Sequence, residues 1–304
     1  MESVKCPICK EIMKIDEQLL STIKVSSSGR YLTATKYEDC IRKCFDCEVG
    51  ASNRQDKNYT FIYKDFHKNI PPIFHNNLDN TLDNCLNIDN RKNKKIKIGF
   101  SSSEDAVSWI FIRYFIQENK LELLKEVLSL DSKILEIFMW GVPQLGIEDN
   151  NELKEKLKEI CKNRLDEKKD SFSEPDIILV CEKEVAFIEV KVKSENEIED
   201  PLKKDFDKYL NNDFYKDKDL AKESRLYELI RNWTISHYFT NSKMVKLINL
   251  APKKKFKKDT DLFKKSLNHP DNFIKLAWED VIDKLDVELK KMILAREPFK
   301  QKQN

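Results

Sequence analysis

The chain has 304 residues, 40% of them hydrophobic and 36% charged, with a formal net charge of +2 at pH 7. That length and apolar content allow one large packed core or two smaller ones. The balanced charge excludes a whole-protein field that gathers polyanions, so contact with nucleic acid has to rest on local basic patches. The longest apolar stretches, such as 109–116, fall far short of the ~20 residues that a bilayer span needs.

The first ten residues are polar and lack the apolar region of a secretory leader. Eight cysteines without such a leader point to a reducing, cytosolic compartment, where paired cysteines mean metal more often than disulfide. Cys6-Pro7-Ile8-Cys9 and Cys44-Phe45-Asp46-Cys47 are two CxxC pairs, and two such pairs can close one tetrahedral zinc site. The gap between them is longer than in short zinc ribbons, and Cys40 is an additional candidate ligand. Cys85, Cys161 and Cys181 read as core or loop residues. Strand-like runs at 19–25 and 59–63 and a turn at 26–29 fall in the same segment. Arg42, Lys43 and Arg54 beside the cysteines are placed to touch phosphates, and Tyr59, Phe61 and Tyr63 to stack or to pack.

Residues 76–97 are rich in Asn, Asp and Lys and read as a loop or linker, with a domain boundary after 97. The basic runs 91–97 and 253–258 read as solvated faces. A helix is expected from Ser103, because Val107, Ile110, Phe111, Tyr114 and Phe115 recur at helical spacing. Helical signal continues through 121–139 and 151–168, as a helical insertion. Two strands follow at 176–181 and 185–192, joined by the short connection Glu182-Lys183-Glu184. A long helix is expected over 220–239, strands over 244–250 and 273–278, a helix over 279–294 and a polar tail at 299–304. The order gives an α/β class, a mixed sheet flanked by helices.

The strand 185–193 carries the chemistry. Side chains alternate faces, so Ala186, Ile188, Val190 and Val192 share one face, and Glu189, Lys191 and Lys193 the other. Asp176 opens the neighbouring strand just after Pro175, a residue suited to a strand's first position. Two carboxylates about 4 Å apart repel by roughly 4 kcal/mol at an effective dielectric of ~20, so one takes a proton or a cation sits between them. Oxygen-rich sites of this kind suit Mg²⁺ or Mn²⁺, which activate water and stabilise charge on a phosphate. Lys191 on the same face can orient that water or neutralise the phosphate. The four histidines, His67, His75, His237 and His269, form no metal or HNH-type pattern, and no Gly-rich phosphate loop is present.

With these residues in this order, the chain over roughly 98–295 resembles the PD-(D/E)XK nuclease superfamily, the restriction-endonuclease-like fold. The resemblance implies a Mg-dependent endonuclease acting on DNA, in restriction or phage defence, with a small N-terminal zinc module over 1–97 and a nuclease-like domain over 98–298. It places Glu104, from Gly99-Phe100-Ser101-Ser102-Ser103-Glu104-Asp105-Ala106, at the metal with Asp176 and Glu189, and makes Lys191 the catalytic lysine. Asp105 is an equal alternative to Glu104, which also fits a capping box with Ser101. Lys193 is an alternative to Lys191. The family's first core strand falls at 137–144 or elsewhere in the insertion. Tyr227 and Arg231, four residues apart, lie on one helix face, where related nucleases contact phosphate; the other reading is a packed Tyr and an exposed Arg. A homodimer would suit double-strand cutting. The competing function is a zinc-containing nucleic-acid-binding or adaptor protein with a nuclease-like fold that does not cut.

Overall fold

The computed structural model describes residues 3–23, 31–54, 59–146, 151–196, 200, 206–210, 213–240, 243–296 and 299. The N-terminal elements are Lys14–Ile15 (β1), Glu17–Thr22 (α1), Arg42–Cys44 (β2), Val49–Ala51 (β3) and Phe61–Tyr63 (β4). Next come Leu78–Asn84 (α2), Arg91–Ile98 (α3), Glu104–Gln117 (α4), Leu121–Val127 (α5), Ile134–Met139 (β5), Val142–Pro143 (β6) and Asn151–Glu159 (α6). The rest is Ile177–Cys181 (β7), Glu184–Val190 (β8), Asp207–Leu210 (α7), Lys218–Ser224 (α8), Tyr227–Phe239 (α9), Met244–Ala251 (β9), Lys258–Ser266 (α10), Phe273–Ala277 (β10), Trp278–Lys284 (α11) and Val287–Leu294 (α12).

Two sheets result. β1 to β4 form a small antiparallel sheet in chain order. The large sheet has the order β10-β9-β8-β7-β5-β6. Its β10, β9 and β8 run parallel, and β8, β7, β5 and β6 pair antiparallel, so the chain is mixed α/β. β7 and β8 are buried along their whole length, as central strands covered on both faces must be. Ala186, Ile188 and Val190 face the core that contains Val107, Ile110 and Phe111 of α4. Val185 and Phe187 face the core that contains Leu229, Ile230 and Trp233 of α9. Each large apolar side chain so buried contributes about 1.5–3 kcal/mol.

Local chemistry sets the helix ends that frame the site. Ser103 caps α4, its hydroxyl accepting from the Ala106 amide at 3.2 Å, and Glu104 and Asp105 sit at the positive end of the helix dipole. The cap is therefore Ser103 and not Ser101. β5 and β6 meet at Trp140 and Gly141, both in the left-handed region (φ 51° and 79°), as a two-residue hairpin turn demands. A Cβ on Gly141 would also lie 2.3 Å from Leu86 Cγ.

Several elements differ from expectation. Residues 19–22 belong to helix α1, capped by Asp16, and not to a strand; 24–30, with the expected turn, lie outside the described residues. The 76–97 segment is α2 and most of α3, not a linker. Leu78, Leu82, Cys85 and Ile98 enter the main core, and the division drawn after 97 falls inside α3. Helical periodicity over 121–139 ends at Val127, and Ile134–Met139 becomes the strand beside β7. Long-range pairing of an apolar, partly β-branched run overrides weak helical preference there. The long helix over 220–239 breaks at Arg225 (φ 59°) into α8 and α9, and the last one splits into α11 and α12. Of the expected tail, only Phe299 is described; it packs on Trp278. Among the described residues, no helix is long and apolar enough to cross a membrane.

His67 joins the segment after β4 to α2, with Asp65 and Asp79 each 2.9 Å from a ring nitrogen. Burial pulls its pKa down, but the two carboxylates outweigh that and the net direction is up. A raised folded pKa means that the stabilisation is complete below the unfolded value of ~6.5 and fades as pH rises through the folded one. Thermal melting of His67→Gln against wild type should therefore show its larger deficit near about pH 5.5 and little difference near about pH 8. An equal deficit at both pH values would contradict this.

Candidate functional site

The sheet register assembles the site. Ile177 pairs with Ile188 across β7 and β8, which brings Asp176 opposite Glu189 just beyond. Glu189 in turn pairs with Asn249 of β9. Asp176 Oδ2 accepts from the Val190 amide at 2.8 Å. Glu189 Oε1 lies 2.7 Å from Lys191 Nζ, and its Oε2 accepts from Asn232 Nδ2 of α9 at 2.8 Å. Lys191 Nζ also lies 2.8 Å from Glu228 Oε2. Asp176, Glu189 and Lys191 are thus brought together as the sequence pattern required.

Burial holds the carboxyl of Asp176 well above the usual range, and the charge of Glu189 adds to it while Lys191 opposes. Glu189 is raised too, by burial and then by Glu228, against Lys191 and Arg231. Burial acts to lower Lys191, but Glu189, Glu228 and Asp176 outweigh it, and the ammonium is held charged. A lysine in that state is a cation and a hydrogen-bond donor, not a base.

A second buried lysine completes the cluster. Lys94 of α3 lies 2.8 Å from Glu174 and 3.6 Å from Asp105, and 4.5 Å from the ring centre of Trp140, which stacks on Trp109. Burial lowers its pKa, but Asp105 and then Glu174 more than offset that. The 91–97 run is therefore not simply a solvated face. Lys94 is turned inward beside Ile98 of the core, while Lys92 is exposed. Lys94, Asp105, Glu174, Asp176, Glu189, Lys191 and Glu228 line one cavity of about 970 Å³. With everything ionised, the lining carries eight carboxylates against seven lysine and arginine cations, which leaves −1; Asp105, Glu174, Asp176, Glu189 and Glu228 are among the former and Lys94, Lys191 and Arg231 among the latter.

Glu104 has a different job. Its Oε1 accepts from the amides of Val192, Lys193 and Ser194 at 2.6, 2.9 and 2.9 Å, and Ser194 Oγ donates to both oxygens. It ties the loop after β8 to the start of α4. Its neighbour Asp105 faces Lys94 and adds to the charge felt by Asp176. Lys193 reaches Thr60 at 3.1 Å. Tyr227 packs against Phe206 and Tyr209, with its hydroxyl 3.2 Å from that of Tyr209, and also lines the cavity. Arg231 turns inward; burial acts against its charge, and Glu189 and Glu228 sustain it.

The cysteines converge as their spacing required. Ligand atoms of Cys6, Cys9, Cys44 and Cys47 all lie within 4.8 Å of one another, and Cys9 Sγ is 3.7 Å from Cys44 Sγ. The edge of a tetrahedron with ~2.3 Å metal–sulfur bonds is ~3.8 Å, so the donor set fits a closed thiolate centre. After each pair the chain turns through a left-handed residue, Lys10 or Glu48. Cys40 is not in the group: it is buried against Gly50, where an added Cβ would lie 2.4 Å from its Sγ. Arg42 and Lys43 do not face outward. Arg42 donates to Ser52 and Arg54 carbonyls under the Tyr59 ring, and Lys43 pairs with Asp16. Among the described residues, these cysteines are the one group of three or more Cys, His, Asp or Glu side chains so tightly gathered; Asp105, Asp176 and Glu189 are not.

Sequence reasoning gave no role to Lys94, Glu174, Glu228, Asn232 and Asn249. A signal existed for two of them: Glu228 and Asn232 are four apart on the helix that carries Arg231. Because Glu104 holds three amides, Glu104→Gln should destabilise the fold by about 1–3 kcal/mol, read as a lower melting temperature. Equal melting of wild type and Glu104→Gln would remove the tethering role. Compared with known families, curated proteins and solved structures, the chain matches none.

Proposed function

We propose that this chain is a divalent-metal-dependent nuclease of the PD-(D/E)XK type that hydrolyses phosphodiester bonds. The observation that carries the reading is Asp176, half-buried, opposite the buried Glu189, with Lys191 just past the end of β8 and paired to Glu189, in one cavity with Asp105, Glu174 and Glu228. Carboxylate oxygens are the donors that Mg²⁺ and Mn²⁺ prefer. Asp176 and Glu189 are the ligands, and Asp105 is the better third carboxylate because Glu104 is occupied by the β8 loop. The ion, when bound, activates water and screens charge on the phosphate. Lys191, held charged, turns from Glu189 and Glu228 to the phosphate oxygen where negative charge builds. Lys94 keeps Asp105 and Glu174 from repelling the substrate, and Arg231 and Tyr227 at the cavity wall contact a neighbouring phosphate. DNA is the proposed substrate, restriction or phage defence the setting, and a homodimer the form suited to double-strand cutting.

A second reading has its own observation. Lys191 is paired to Glu189, and three carboxylates are not gathered at a point, as suits a protein that binds nucleic acid or a partner without cutting it. Incubation with plasmid and oligonucleotides in Mg²⁺ or Mn²⁺ separates the two. Wild type should cut, and Glu189→Ala and Lys191→Ala should each lose about 100-fold or more. Uniform inertness would favour the non-cleaving reading, and uniform activity would place the chemistry elsewhere.

The four cysteines Cys6, Cys9, Cys44 and Cys47 are proposed to hold one structural zinc. Protein purified without chelator should contain about one zinc per chain by mass spectrometry, and Cys44→Ser should lose it along with the ordered β1–β4 sheet. A full zinc complement in Cys44→Ser would refute the assignment.

A further inference from the structure

Asn249 is out of place by every local rule. It sits in β9, a strand between β8 and β10, among Leu247, Ile248 and Leu250. Asparagine is depleted in strands, and a buried amide without partners opposes folding. Asn249 has no exposed surface, and among the described residues neither its Nδ2 nor its Oδ1 has a hydrogen-bond partner. The other buried polar side chain of this strand, Lys246, is matched by Asp131 and Glu184. A group that weakens the fold and persists without a partner is expected where function uses it.

Its neighbour supplies the use. Asn249 stands in register beside Glu189, and in a parallel pair such residues share a face. Both oxygens of Glu189 are engaged, one by Lys191 and one by Asn232. When Lys191 gives way to a cation or turns to a phosphate, Oε1 loses the ammonium 2.7 Å away, beside an idle amide. We propose that Asn249 is a positioning residue for Glu189: its Nδ2 donates to the carboxylate once Lys191 is withdrawn, and so holds Glu189 in the orientation that binds the cation. The inference rests on Asp176 and Glu189 being divalent-cation ligands.

The test uses the full chain with its zinc, with Mn²⁺ binding followed by calorimetry and thermal melting followed without Mn²⁺. Asn249→Val should bind Mn²⁺ about 10-fold or more weakly, the usual penalty for losing a residue that orients a metal ligand. It should melt at or above the wild-type temperature, because an unpaired amide has been replaced by an apolar group. A merely structural amide would give the opposite: a lower melting temperature and unchanged Mn²⁺ affinity. Either of those two results overturns the proposal. Should Asn249→Val not fold, Asn249→Ala is held to the same affinity criterion, and failure of both to fold overturns it as well. Asp176→Asn separates the underlying reading. If wild type takes up no Mn²⁺, or if Asp176→Asn binds it equally well, the metal site itself is wrong and this inference falls with it.

Discussion

Asp176 and Glu189 are brought face to face by the register of β7 and β8, the first half-buried and the second buried. Like charges about 4 Å apart repel by roughly 4 kcal/mol at an effective dielectric of ~20, a sizeable part of a domain's net stability. Much of the surrounding structure answers that repulsion. Lys191 returns along β8 to Glu189, α9 brings Glu228, Arg231 and Asn232 over the pair, and α3 sends Lys94 in from the far side. Even the left-handed break at Arg225 belongs here, since it lets α9 start at Tyr227 with Glu228, Arg231 and Asn232 turned to the sheet. Removing one member of a buried pair typically costs about 3–5 kcal/mol, so Lys191 is a counter-ion of the resting fold before it is anything else.

The central hairpin was legible because its information is local. Two apolar runs, a short connection and strict alternation fix which residues share a face, and Asp176, Glu189 and Lys191 follow from that alone. The four cysteines were legible for a similar reason, since each CxxC pair sets its own geometry. What escaped was whatever depended on distant packing. Lys94 lies in a run of basic residues whose local signal is solvation, and only the docking of α3 beside Trp140 turns one of them inward. Glu104 and Asp105 are adjacent, and a helix start offers no way to choose between them. The loop at Val192 to Ser194, which closes on Glu104, makes the choice. β5 was hidden because its residues fit a helix about as well as a strand until β7 is there to pair with.

The N-terminal sheet is tied to the site as well as to its own cysteines. Ser101 donates to the Phe61 carbonyl, Tyr63 to that of Gly99, and Lys193 reaches Thr60. The side chain of Asn69 donates to the carbonyls of Ile98 and Phe100, just before the helix that carries Glu104 and Asp105. Few apolar residues hold this segment, with Val4, Met13, Val49 and Ala51 as its main inward side chains, so a metal held by the four cysteines would supply rigidity that a small core cannot. Loss of that rigidity would reach the cavity through the 99–103 segment, at the wall where Phe100, Ser102 and Ser103 stand.

One ammonium cannot serve two partners at full strength. At rest, Lys191 bridges Glu189 and Glu228, and so occupies the charge that a cation and a phosphate would otherwise satisfy. A divalent ion held by Asp176 and Glu189 would supply the charge that Lys191 gives Glu189 at rest, and the lysine would then be free to turn toward the substrate. The two events favour each other, because each relieves what the other leaves unpaired. Glu228 is left without Lys191 in that exchange, but Arg231 on the same helix faces it with a charge sustained by Glu189 and Glu228 together. In a resting site closed by ion pairs, metal and phosphate binding would therefore strengthen each other.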